Sequence, residues 1–327
     1  MSNREIQANE LVKNYGDFRA VDGISFKVEA GEIFGFLGPN GAGKSTTVAI
    51  LTTLALPSGG QARVGGYDVV SQADQVRRIA GVALQDVGLD PLMKSRELLM
   101  LQAQAFGLDS RAARRRADEL LELVKLSEFT DRTAGKYSGG MRRRLDLALA
   151  LVHEPEILFL DEPTTGLDPS SRRDIWQEVR RLNREKGMTI FLTTQYLEEA
   201  DELADRIAII VRGRIATEGT PEDLKASLGG ESVNVTFKDE MIMTQAHETL
   251  RDMTDKIQRD RNTLRLYLPK AAQAVPSVVG RLQAQGLEMV SLTLTQPTLD
   301  DVFLQVTGQR YSADEAAEAE ASAAVPA

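Results

Sequence analysis

The chain has 327 residues, 42% hydrophobic and 27% charged, a balance ordinary for globular protein and enough length for about two domains. Zero cysteines exclude disulfides and thiolate metal sites and fit a reducing cytoplasm, and two histidines leave little for a histidine-rich metal site. The net charge of −9 disfavours a nucleic-acid partner, because neutralising phosphates requires a basic face.

The opening, MSNREIQANELVKNYG, lacks the apolar core of a signal peptide. Short apolar runs then alternate with amphipathic stretches over residues 1–228, the rhythm of an α/β fold. GEIFGFLG (31–38), RIAGVALQ (78–85), PEILFLDE (155–162), MTIFLTT (188–194) and RIAIIVRG (206–213) read as strands of one buried sheet. The strand rhythm pauses between the second and third, which predicts a helical subdomain over 92–152 inserted into the core. Turn residues gather at GTPEDLKASLGG (219–230), and the pattern changes. SVNVTF (232–237), TLRLYLP (263–269) and MVSLTLT (289–295) alternate apolar and polar residues, as half-exposed strands do, with helical stretches near 241–254 and 271–285 between them. This predicts a small α+β accessory domain of ferredoxin-like type over 229–309. The end, 310–327, has too little apolar mass to fold and reads as a disordered acidic tail. No stretch approaches the roughly 20 apolar residues that span a bilayer, so any membrane role is assigned to a partner subunit.

Three motifs carry the chemistry. GPNGAGKST (38–46) follows an apolar strand, precedes a helical run and fits the phosphate-binding loop. Gly41 and Gly43 allow backbone angles that aim N–H groups at phosphate oxygens, and the helix start adds a favourable dipole. Lys44 would reach the β- and γ-phosphates and Ser45 would ligate Mg²⁺, with Gly38, Pro39, Asn40, Ala42 and Thr46 completing the nucleotide-contacting loop. ILFLDEP (157–163) supplies the complementary acids: Asp161 at the strand end to hold the metal, and Glu162 to polarise an attacking water as general base. YSGGMRRRLDLALAL (137–151) places Ser-Gly-Gly before a helix, a second anion site. One nucleotide hardly needs two phosphate-binding helix starts, so the economical reading is a dimer in which each chain closes the other's site.

The phosphate loop, YSGGM and LFLDEPTTGLD, in this order and spacing, resemble the ATP-binding subunit of an ABC transporter over residues 4 to 228. That resemblance implies an α/β P-loop NTPase core with ATP and Mg²⁺ as ligands. It also implies a head-to-tail homodimer of ATPase domains on the cytoplasmic face of the membrane, working with a separate integral membrane permease. Tyr15 resembles the aromatic residue that stacks on adenine, against the alternative of ordinary strand-edge packing. Gln85 resembles the glutamine that contacts magnesium and senses the membrane subunit. Ser138, Gly139 and Gly140 would bind the γ-phosphate held by the partner chain, and Asp168 resembles the aspartate linking the two sites. TTQYLEEAD with YSGGMRRRLDLA and the late PTLDDVFLQVTG (297–308) is similar to the daunorubicin-resistance type of ATPase, which carries an accessory domain and exports hydrophobic compounds.

Departures from the family pattern are Tyr137 and Met141 in the signature, where Leu and Gln are usual, and Gln195, where most such ATPases have histidine. A glutamine amide can donate to phosphate and accept from water but carries no proton near neutral pH. Gln195 is therefore read as a pH-insensitive substitute beside Glu162, the alternative being that it only satisfies loop backbone groups. RAARRRADELLELV (111–124) reads as a solvated helix face, with contact to the membrane subunit or anionic headgroups as the sharper alternative. Arg142, Arg143 and Arg144 are expected at the dimer interface or in solvent, and His153 and His247 are expected to be structural. A soluble ABC ATPase of translation or DNA maintenance is the competing function. A single cassette, no long coiled coil and the negative charge disfavour it.

Overall fold

The structure, a computed structural model, describes residues 4–85, 88–228, 231–268 and 270–307. The expected acidic tail at 310–327 lies outside the described residues. By internal contacts the chain divides into two units, Met1–Glu218 and Gly219–Ala327.

The first unit opens with β1 (Ile6–Tyr15), β2 (Phe18–Val28), β3 (Ile33–Leu37), α1 (Lys44–Leu51), β4 (Gly59–Val64), β5 (Tyr67–Asp68), α2 (Ala73–Ile79) and β6 (Ala80–Ala83). It continues through α3 (Ser95–Ala105), α4 (Ser110–Leu123), α5 (Gly139–Ala150), β7 (Ile157–Asp161), α6 (Pro169–Lys186), β8 (Thr189–Thr194), α7 (Leu197–Leu203), β9 (Arg206–Val211) and β10 (Arg214–Gly219). The five apolar runs read from sequence are β3, β6, β7, β8 and β9, in one sheet of order β10-β9-β3-β8-β7-β6. Pairing among β3, β6, β7, β8 and β9 is parallel, so their C-terminal ends share one edge. Ligands bind at that edge in parallel α/β sheets.

Successive side chains on a strand point to opposite faces, and the two faces of this sheet build two cores. Phe34, Phe36, Phe159 and Phe191 join Phe26 of β2 in one cluster, with neighbouring ring centroids 5.5–5.8 Å apart. Ile33, Leu158, Leu160, Ile190 and Leu192 face the other way, onto the helical segment of α3 to α5 and onto α6. The sheet is thus a rigid slab buried on both sides. A second, antiparallel sheet of order β2-β1-β4-β5 covers the phenylalanine face and was not anticipated from the sequence. Its β1 carries register shifts and a mixed burial pattern, which blur the period-two signal.

The second unit contains α8 (Pro221–Ser227), β11 (Ser232–Phe237), α9 (Glu240–Leu250), β12 (Ile257–Asp260), β13 (Thr263–Tyr267), α10 (Ala271–Ala284), β14 (Met289–Thr295) and α11 (Leu299–Thr307). Its sheet is antiparallel, in the order β12-β13-β11-β14. From β11 to β14 this is the β-α-β-β-α-β ferredoxin-like arrangement. α8 lies in this unit because it packs against α11. Val233, Val235, Leu264 and Leu266 pack on α9 and α10. Arg265 lies between Leu264 and Leu266, so its side chain emerges on the opposite face and meets the buried Asp301 of α11 in an ion pair. Asp301 also accepts from Thr298 N at 3.0 Å, and Gln258 Nε2 donates to its backbone carbonyl at 2.9 Å. These contacts explain the PTLDD segment as a docking device for the last helix. Removing one partner of a buried ion pair costs about 3–5 kcal/mol. Asp301→Ala is therefore expected to destabilise the second unit by about that amount, read as an earlier unfolding transition in urea.

Candidate active site

The phosphate loop leaves β3 at Gly38 and enters α1 at Lys44. A Cβ at Gly38 would stand 2.4 Å from Ile210 O, and one at Gly43, with φ +107°, would stand 2.4 Å from Ala20 O. Both positions therefore need glycine for close backbone approach. The loop is clamped along its length: Gly38 N donates to Thr194 O, Ala42 N to Pro39 O, and Gly213 N to Ala42 O. Asn40 and Thr46 are half-buried, while Gly41 (φ +75°) is exposed.

Lys44 is buried. Its ammonium donates to Gly38 O at 2.7 Å and Pro39 O at 3.1 Å and lies 3.0 Å from Glu162 Oε1. Ser45 Oγ donates to Asp161 Oδ1 at 3.2 Å, and the Thr193 hydroxyl donates to the same oxygen. Burial pushes the Asp161 carboxyl up, opposed by the hydrogen bonds from Thr193 and Ser45. Glu162 adopts φ +48°, a left-handed conformation uncommon outside glycine, and its N–H donates to Thr193 O and Oγ1, both at 3.1 Å. Gln195 is buried and follows β8, whose Thr193 and Thr194 backbones hold Glu162 and the phosphate loop on either side. Gln85 is exposed just beyond β6, where Ala83 pairs with Leu160. Tyr15 is 52% exposed at the tip of the β1–β2 hairpin, within the strand pair that reaches the loop at Ala20.

The signature residues gather elsewhere. Ser138 caps α5 by accepting from Met141 N at 3.2 Å, and Ser138 and Gly139 are exposed. A Cβ on Gly140 would stand 2.7 Å from Ser171 Oγ, so a side chain there would push that hydroxyl away from Asp168. Asp168 caps α6, accepting from Ser170 N and Ser171 N and, at 2.6 Å, from Ser171 Oγ. Those bonds, the Ser171 hydroxyl foremost, hold its carboxyl below the usual range. Tyr137 is buried and donates to Phe129 O at 2.8 Å, anchoring the start of α5.

Arg143 corrects the sequence reading. It is buried in its own chain, donating to Pro163 O at 2.8 Å, to Asp161 O at 2.7 Å and to Leu84 O. It thus ties the signature helix to the backbone beside Asp161, Glu162 and Gln85. The available signal was helical spacing, since Gly140, Arg143 and Leu147 share one buried face. Arg116, from the run read as solvated, likewise donates to Leu151 O and Val152 O. His153 stacks on Phe106 with centroids 4.1 Å apart, a structural role as expected.

The geometry is that of a nucleotide site, and the comparisons agree. The profile of the ABC transporter family matches residues 21–165, and that of the C-terminal domain of DrrA1-3-like ATP-binding proteins matches 219–307. The daunorubicin resistance ATP-binding protein DrrA3 of Streptomyces coeruleorubidus is 44% identical over 317 residues, covering 97% of this chain and 100% of the relative. This chain belongs to the ABC transporter family of ATP-binding proteins. The linearmycin resistance ATP-binding protein LnrL of Bacillus subtilis is 37% identical over 311 residues, covering 93% of this ABC protein and 98% of the relative. A dimeric ATP-binding cassette in a post-hydrolysis state with ADP and Pi superposes with TM-score 0.61 at 26% identity, covering 66% of the chain and 98% of the cassette. As an ABC ATPase, the chain binds and hydrolyses ATP.

Burial pushes the Asp146 carboxyl, partner of Arg143 at 3.2 Å, up to about 6 from 3.8, with the Arg143 charge opposing. Because the folded state binds this proton more tightly than the unfolded state, its contribution to stability is full below pH 3.8 and is lost as pH rises through about 6. The loss totals roughly 3 kcal/mol. Asp146→Asn is expected to remove this fall between pH 4 and 6, measured by urea denaturation across that range.

Proposed function

We propose that this chain is the ATP-driven motor of an exporter of a hydrophobic compound, acting as a homodimer with a separate integral membrane permease. The observation that carries the catalytic part is the convergence of Lys44, Ser45, Asp161, Glu162 and Gln195 at one sheet edge, with Glu162 in direct contact with Lys44. Lys44 and the loop from Gly38 to Thr46 hold the phosphates, and Tyr15 offers its exposed ring to the base. The paired hydroxyl and carboxylate oxygens of Ser45 and Asp161 suit Mg²⁺, which takes oxygen ligands from one or two side chains plus phosphates. Gln85, at the neighbouring strand end, would offer a further oxygen to the ion. When bound, the ion supplies charge neutralisation on the β- and γ-phosphate oxygens.

Glu162 acts as the general base and Gln195 orients the water and the γ-phosphate. Its amide can donate and accept but cannot titrate, so hydrolysis carries no switch-residue ionisation near neutral pH. Lys44 spans the loop carbonyls and Glu162; turning its ammonium to phosphate frees the Glu162 carboxylate for water. The exposed Ser138 and Gly139, with Gly140 and Asp168 behind them, meet the γ-phosphate bound by the partner chain. The dimeric state of the similar ATP-binding cassette supports a dimer.

Among the described residues no helix is long and apolar enough to cross a membrane. In this reading the permease supplies the pathway and the chain works at the membrane's cytoplasmic face. Relatives named for daunorubicin and linearmycin resistance and for Nod factor export support export of an amphiphilic or hydrophobic cargo. They also weigh against a soluble ATPase uncoupled from transport. Coupling requires the permease to bind the open and closed dimers with different free energies.

Glu162→Gln is expected to lower Mg·ATP hydrolysis by about 10²–10⁴-fold with ATP binding kept. Gln195→Ala is expected to lower kcat tenfold or more, with a parent pH profile free of any ionisation between pH 6 and 8. Steady-state kinetics across that range decide both, and an unchanged kcat in Gln195→Ala would mean the amide only satisfies its own loop. Purification of the full chain from native membranes without any integral partner would sink the exporter reading.

A further inference from the structure

The segment TTQYLEEAD contains a group that the proposed mechanism leaves unused. Glu199, on α7, is fully buried. Its Oε1 accepts from Thr164 Oγ1 at 2.9 Å and from Trp176 Nε1 at 2.8 Å. Burial pushes this carboxyl up, opposed by hydrogen bonds from Thr194, Trp176 and Thr164 and by the nearby Arg172 charge. The four elements that meet here are distinct in function. Thr164 follows Glu162 and Pro163 on the loop leaving β7. Thr194 precedes Gln195 at the end of β8. Trp176 belongs to α6, the helix that Asp168 caps and on which Gly140 packs. α7 brings the acid itself.

A second cross-link runs in parallel. Arg172 of α6 donates to Leu167 O at 3.1 Å, and its guanidinium lies 4.2 Å from the centroid of the Tyr196 ring. Tyr196 is the residue after Gln195. The loop carrying Glu162 and the corner carrying Gln195 are therefore bound to one helix at two levels. A buried carboxyl is costly to place, and packing alone would be met by an apolar side chain of similar volume. What an apolar residue cannot do is fix the hydroxyl and indole donors of separate elements at one point.

We propose that Glu199 is a positioning residue for ATP hydrolysis: its buried carboxyl ties the Glu162 loop to the Gln195 corner, with α6 as their common support. The inference rests on the reading of Glu162 and Gln195 given above. It assigns Glu199 no contact with nucleotide. Its removal loosens the relative placement of base and amide, and a misplacement of about 1 Å is enough to cost about 10²-fold in rate. Because Trp176 is the chain's single tryptophan, its emission reports on this junction alone.

The test uses the full chain in three forms: parent, Glu199→Ala and Thr164→Val, with Mg·ATP as the probe. Expected for Glu199→Ala is a fall in kcat of tenfold or more, with ATP affinity by equilibrium dialysis within threefold of the parent. Addition of Mg·ATP should change Trp176 emission in the parent and leave it unchanged in Glu199→Ala. Thr164→Val removes one donor without burying an unpaired carboxyl's worth of empty space, and should lower kcat in the same way but less. It carries the test if Glu199→Ala does not fold. A kcat within twofold of the parent in the folded variant, or an equal loss of kcat and of ATP affinity, overturns the inference while leaving the nucleotide site intact. A parent that hydrolyses no ATP overturns that site reading, and this inference with it.

Discussion

Burying the Lys44 ammonium is costly unless its contacts are held in place, and the surrounding backbone is arranged to hold them. Two of its partners are the Gly38 and Pro39 carbonyls of its own loop, whose path is fixed at Gly38 and Gly43, where an added Cβ would collide with Ile210 and Ala20 backbone oxygens. The third is the Glu162 carboxylate, carried on a left-handed backbone that two hydrogen bonds to Thr193 stabilise. Lys44, Glu162 and Asp161 are thus fixed around one strand end, that of β8. Such preorganisation is what a hydrolytic site needs, because groups placed before the reaction need no reorganisation during it.

The same economy links the two faces of the molecule that would meet different nucleotides. Arg143 spends its guanidinium on carbonyls at Leu84, Asp161 and Pro163, so the signature helix cannot shift without disturbing the strand ends beside Asp161 and Gln85. Its charge is lowered in stability by burial and compensated by Asp146. On the other side, α6 presents Asp168 and Ser171 to the signature and Arg172 and Trp176 to the Gln195 corner. The exposed Ser138 and Gly139 therefore have two mechanical links to the strand ends, one through the buried Arg143 and one along α6. This is a physical basis for closure and hydrolysis being coupled.

The accessory unit solves a different problem. A four-stranded sheet with helices on one face leaves the other face to be covered, and here α11 covers part of it. Leu299, Val302, Phe303 and Leu304 supply the apolar mass, and the Asp301–Arg265 pair fixes the register of the helix on the sheet. The sequence segment that marks the daunorubicin-resistance type is thus explained by folding of this unit.

Much of the protein was legible in one dimension because local rules suffice there. Five continuous apolar runs bounded by turns, a glycine-rich loop between strand and helix, and acids directly after an apolar run each follow from short-range chemistry. They suffice to put Lys44, Ser45, Asp161, Glu162 and Gln195 at strand and helix ends. Tertiary structure alone decided the rest. The antiparallel sheet of β1, β2, β4 and β5 hides behind bulges and half-buried strands. From sequence Arg143 is expected at the dimer interface or in solvent, and nothing in the one-dimensional pattern marks Glu199 or Asp301 as buried, because a charged residue is normally exposed. What buries them is a set of partners far away in sequence: backbone carbonyls for the arginine, a hydroxyl and an indole for the glutamate, and an arginine across the sheet for the aspartate. Such partners come together only when the chain has folded.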